Sequence, residues 1–88
     1  MSSKTARPGL AYIMRETGAE FWDDMVYDVS GEHIRGFRIS RKIAGRRKLR
    51  NHFVPMKNVE AAEESLQFKS LPMRWVSEEL TRLPDSDM

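Results

Sequence analysis

Two runs of alternating side chains meet at Gly45, and together they confine the middle of this chain to a β-hairpin. Phe37, Ile39 and Arg41 alternate with Arg38, Ser40 and Lys42. Beyond the glycine, Arg47, Leu49, Asn51 and Phe53 alternate with Arg46, Lys48, Arg50 and His52. Period two marks a strand, because successive side chains point to opposite faces. A two-residue loop would set Arg50 opposite Ile39 and mix charge into the apolar face. A three-residue loop, Ile43-Ala44-Gly45, pairs Ile39 with Leu49 and Phe37 with Asn51. It also gives Gly45 the loop position where left-handed backbone is wanted. Segregation of the two faces selects the three-residue loop.

On that register the hairpin is two-faced. Phe37, Ile39, Leu49 and Phe53 form an apolar face for a helix to cover. Arg38, Ser40, Lys42, Arg46, Lys48, Arg50 and His52 form the other, with no acid among them. Arg41 and Arg47 fall on the apolar side, near the tip and beyond the core. The wider charge pattern agrees. Residues 33–57 hold nine Lys or Arg and no Asp or Glu, whereas residues 1–32 and 58–88 are net acidic, so the overall +2 hides a strong asymmetry. Such a pattern points to a polyanionic partner. Like charges opposed across strands, as Arg38 with Arg50 and Lys42 with Arg46 would be, are destabilising unless an anion compensates. A nucleic-acid backbone supplies that anion, and a β-ribbon fits the major groove of a duplex. The plain alternative is a solvated basic face kept for solubility.

The flanks are less definite. Leu10, Ile13, Met14, Phe21, Trp22, Met25 and Val26 recur at helical spacing, with Gly18 interrupting. Residues 9–17 are then a short helix followed by a strand over 20–29, or the helix continues to about Tyr27. Ser30-Gly31-Glu32 is a turn. Pro55 closes the last strand. Asn58 is a candidate N-cap for a helix whose stripe is Val59, Ala62 and Leu66, with Glu63 and Glu64 outside. Pro72 interrupts, and a second helix begins after Ser70 or Leu71 with Pro72 near its first turn. Met73, Val76, Leu80 and Leu83 recur along it beside Trp75, and Pro84 ends it. That stripe either covers the sheet or offers a surface to a protein partner.

The chain has 88 residues, enough for one domain with a thin core. It has no cysteine, so disulfides and thiolate metal sites are excluded. No apolar run is long enough to span a bilayer, and Met1–Pro8 lacks the apolar stretch of a signal peptide, so a cytoplasmic location is expected. His33 and His52 are not at metal-ligand spacing. Adjacent acids such as Asp23-Asp24, Glu63-Glu64 and Glu78-Glu79 point in different directions and do not form a catalytic dyad. No phosphate-cradling glycine loop or nucleophile elbow is present. No enzyme, cofactor, metal or small-molecule substrate is expected. A ribonuclease using His52 as general acid or base is the one catalytic alternative.

The run Gly36-Phe37-Arg38-Ile39-Ser40-Arg41-Lys42, then Gly45-Arg46-Arg47-Lys48-Leu49-Arg50-Asn51-His52-Phe53, then Val59-Glu60-Ala61-Ala62, resembles the Apetala-type DNA-binding domains. It is equally similar to the amino-terminal DNA-binding domains of phage and transposon integrases. The resemblance covers about residues 25–83. It implies a three-stranded antiparallel sheet on one C-terminal helix, with the sheet reading the major groove. Phe37 stands where the family's second strand usually has tryptophan. The first strand is acidic at Asp23, Asp24 and Asp28, and Pro72 breaks the expected long helix. The roles carried over are therefore confined to Arg38, Lys42, Arg46, Lys48 and Arg50.

The sequence thus predicts an α+β fold: a small antiparallel sheet of two or three strands with a basic hairpin, packed against C-terminal helical segments. Residues 1–8 are expected as a flexible tail, 9–84 as one domain and 85–88 as an acidic tail. The expected activity is binding of nucleic acid, with double-stranded DNA preferred, by a regulatory or recombination accessory factor. Arg38, Lys42, Arg46, Arg47, Lys48, Arg50 and His52 are the candidate contacts, with Asn51 a further candidate for a base or phosphate contact. The alternative is a protein-interaction module, for example a phage factor gripping a host protein.

Overall fold

The computed structural model describes residues 7–68 and 79–87. The chain runs α1 (Pro8–Thr17), β1 (Phe21–Val29), β2 (Glu32–Lys42), β3 (Lys48–Pro55), α2 (Met56–Phe68), β4 (Thr81–Arg82) and β5 (Ser86–Asp87). β1, β2 and β3 form an antiparallel meander. β4 and β5 both add to the far edge of β3. The fold is α+β, as expected, with a sheet wider by the two short edge strands and an N-terminal helix in addition to the one after β3. Among the described residues no helix is long and apolar enough to cross a membrane.

Residues 7–29 take the helix-then-strand course. Proline at the first position suits the start of α1, and Gly18 ends it in left-handed backbone at φ 78°, with the Ala19 N–H donating to the Met14 carbonyl. The helical spacing of Trp22, Met25 and Val26 was misleading because β1 has neighbours on both faces. Trp22 meets Phe37 edge-on at 5.6 Å on the helix side, while Tyr27 lies 5.1 Å from Phe53 on the far side. Apolar residues on both faces of a strand break period two. The β1–β2 connection is the two-residue loop Ser30-Gly31, both at positive φ, with Val29 opposite Glu32.

The β2–β3 register differs from the one that face segregation selected. Ile39 pairs with His52 and Phe37 with Val54, across a five-residue loop Ile43–Arg47. Gly45 keeps its left-handed backbone, at φ 74°. The physical reason is that both faces of this hairpin bury side chains, so a single apolar face was the wrong criterion. Phe37, Ile39 and Val54 face the helices and join Leu10, Ile13, Val59 and Ala62 in the core. Phe53, also buried, sits on the opposite face against Tyr27, together with Leu49. The observed register brings Ser40 opposite Asn51, both buried, where the Ser40 hydroxyl donates to Asn51 Oδ1 at 2.6 Å.

Further expectations are corrected. α2 starts at Met56, directly after the strand, so Asn58 lies inside the first turn, buried, instead of capping it. Glu63 is held inward: Arg7 donates to both its carboxylate oxygens at 2.7 and 3.1 Å, and the Gly9 N–H donates to it at 3.3 Å. Residue 7 is thereby tied to α2 and Pro8 is helical, so neither belongs to a flexible tail; residues 1–6 of the expected tail lie outside the described residues. Residues 79–84 are turn and extended chain, because the Leu83 N–H bonds the Asn51 carbonyl on the sheet edge. Leu83 is buried and Leu80 packs on the core, so neither offers a free apolar stripe. Met73, Trp75 and Val76 lie outside the described residues. The expected acidic tail is ordered in part: Ser86 and Asp87 pair with Leu49 and Lys48.

Gly36 is a packing requirement of this register. A Cβ there would overlap the Val54 carbonyl oxygen and press on the Phe53 ring. Gly36→Ala is expected to lower stability by about 1–3 kcal/mol, the usual range for overpacking. A urea titration checks this: the midpoint falls while the slope is unchanged.

Candidate nucleic-acid interface

The register redistributes the basic residues. Arg38 and Lys42 stand on the far face of the sheet; Lys48, Arg50 and His52 stand on the helix side, beyond the helices' cover; Arg46 and Arg47 are in the exposed loop. The seven candidate residues therefore do not share one face. Arg38 is also already partnered. It donates to both oxygens of Asp23, its cross-strand neighbour on β1, at 3.1 and 2.8 Å. The acid missing from the hairpin comes from the neighbouring strand. Asn51 is buried and fully engaged, donating to the Pro84 carbonyl at 2.7 Å and to Ser86 Oγ at 3.1 Å, so it is not a base contact.

Two basic groups remain. The first is the tip. Lys42 ends β2 over the ring of Phe21, and its backbone N–H donates to Glu20 Oε1 at 3.0 Å. The loop is closed by Ile43 donating to the Lys48 carbonyl at 3.0 Å and by Arg46 donating to the Ile43 carbonyl at 3.1 Å. These bonds splay Arg46 and Arg47 outward into solvent. Neither has an ion-pair partner among the described residues. Lys48 starts β3 opposite Asp87.

The second group lies on the helix side, where sequence reasoning had found only part of it. Arg41 faces Arg50 across β2 and β3, and His52 faces Arg82 of β4. Arg41 is visible in the alternation, but on a one-faced hairpin it falls on the apolar side. Arg82 had no usable signal, because its segment carried a helical spacing. Asp85 serves this group, accepting from Arg82 at 2.6 Å and standing 3.9 Å from Arg50 Nε. The Arg82 hydrogen bond is the main reason that the Asp85 carboxyl is held below its ordinary range.

His52 is half-buried in this setting. Loss of solvent, then the Arg82, Arg41 and Arg50 cations, hold its imidazole below the ordinary value, and Asp85 opposes them. No family model, curated protein or solved structure matches the chain.

The shift at His52 has a consequence for stability. Its folded-state pKa lies below the reference value of 6.5, so the unfolded chain takes up the proton first. The contribution of neutral His52 is complete above pH 6.5 and is lost as the pH falls below that value toward the folded pKa. Between pH 7.5 and 5.5 the urea midpoint should drop, and His52→Gln should make that drop smaller.

Proposed function

We propose that this chain binds nucleic acid, with double-stranded DNA preferred, through the tip of the β2–β3 hairpin. The observation that carries the reading is the loop itself. Arg46 and Arg47 are exposed and unpaired among the described residues, and Lys42 and Lys48 flank them on the two strand ends.

The corrected register supports a duplex in its own way. Lys42 stands on one face of the ribbon's end and Lys48 on the other. A ribbon entering a major groove has phosphate chains along both walls, so cations on both faces suit it better than a single basic face would. Phosphate neutralisation releases counterions and gives most of the affinity. A small domain of this kind acts as a regulator or recombination accessory factor, the role that the resemblance to the Apetala-type and integrase amino-terminal domains implies. The resemblance supports the sheet-and-helix arrangement more than the contacts, because Arg38 is committed to Asp23.

The test is fluorescence polarisation with a labelled random-sequence duplex, at about 50 and about 200 mM salt. Binding should weaken steeply between the two. Substituting Arg46, Arg47 and Lys48 together by alanine should weaken it further and lower the salt slope by about 2–3, at close to one unit per lost phosphate contact. These side chains are exposed, so the fold should be unaffected. Equal affinity and slope for the variant and the unaltered chain would remove the tip from the mechanism.

A further inference from the structure

The helix-side cluster has a shape and a bonding deficit that tip binding does not use. Arg41 and Arg50 are direct cross-strand partners, and His52 with Arg82 stands next to them on the same face. Paired like charges repel, so the pair needs an anion. Asp85 answers this only in part: its Oδ1 is bonded to Arg82, and at 3.9 Å it is too far to accept a hydrogen bond from Arg50 Nε. Arg50 Nε is buried and has no hydrogen-bond partner among the described residues.

Beside that donor is a cavity of about 190 Å³. Thr17 and Ala19 line it from the end of α1, and Ile39, Arg41, Arg50 and His52 from the sheet. Its volume is below the roughly 300–1,000 Å³ of pockets for drug-sized ligands. It suits a single small ion. We propose that Arg41, Arg50 and His52, around this cavity, form a binding site for one phosphate group.

The chemistry fits each residue. Guanidinium groups present N–H donors in a planar fork that matches the oxygens of a phosphate, and the Arg50 Nε–H is one of the donors at hand. The charged groups facing His52 are Arg41 on β2, Arg50 on β3, Arg82 on β4 and Asp85 after it. α1 brings only Thr17, which does not titrate. A phosphate dianion among these cations reverses the balance at the imidazole. His52 then takes up a proton and becomes a third donor. The site does not depend on the tip's reading, since it would hold inorganic phosphate on its own.

The experiment is an NMR titration of the full chain with inorganic phosphate, against chloride at matched ionic strength, observing the His52 imidazole. A saturable shift of that resonance and a raised His52 pKa are expected. Arg41→Gln and Arg50→Gln should each weaken the phosphate effect about tenfold or more, as expected for loss of a charge-assisted contact. Substitution of Arg46 and Arg47 by glutamine should leave it unchanged. A short DNA duplex then distinguishes the source. Displacement of inorganic phosphate by the duplex means that a strand delivers the group, and simultaneous binding means that the site takes free phosphate. No saturable shift in the unaltered chain overturns the proposal without recourse to any variant. So does a shift that both Gln substitutions leave intact. A failure of duplex binding in the tip variant bears on the tip alone.

Discussion

The hydrogen bond between Ser40 and Asn51 determines more of this structure than any apolar contact does. Both side chains are buried, and they meet only in the register that also sets Phe37 against Val54. A cross-strand apolar pair contributes about 0.2–1 kcal/mol, whereas a buried polar group left without a partner costs about 1–3 kcal/mol. Any register that separates Ser40 from Asn51 leaves two such groups unpaired, and the apolar gain from pairing Ile39 with Leu49 does not offset that. Asn51 then uses its amide on Pro84 and Ser86. One side chain thus fixes the hairpin register and docks the C-terminal segment on the edge of β3.

Much of the element order was legible because it rests on local signals. Gly18 between two apolar runs, the alternation on either side of Gly45 and the stop at Pro55 each act within a few residues. The register was not legible, because it depends on which faces are covered, and coverage is a tertiary property. The alternation alone implies a hairpin with one apolar face. Phe53 and Tyr27 pack on the side opposite the helices, so the sheet has two. The same two-sided packing gave β1 a helix-like spacing. At the C-terminal end, Leu80 and Leu83 carried a helical interval but are spent one at a time, against the core and on the sheet edge.

The candidate site was legible as a charge block and not as a geometry. The residue types and their segment were plain from residues 33–57, but three of the outcomes required the fold. Arg38 is neutralised by an acid from β1. Asn51 becomes structural. Arg82 comes in from a segment 25 residues beyond the end of the basic run and joins Arg41, Arg50 and His52.

The acidic flanks acquire a role once the strands are in place. β1 brings Asp23 to Arg38 along one side of the hairpin, and the C-terminal segment brings Asp85 and Asp87 to Arg50, Arg82 and Lys48 along the other. Exposed pairs of this kind add little stability, about 0–1 kcal/mol each. Their larger effect is on the field. They offset Arg38 on one side and part of the Arg50 and Arg82 charge on the other, and they leave Arg46 and Arg47 at the tip without an ion-pair partner among the described residues. A uniformly basic sheet would attract a polyanion in many orientations. Under the nucleic-acid reading proposed above, a ribbon with partly offset flanks and an unpaired tip favours an end-on approach, the orientation that a groove requires.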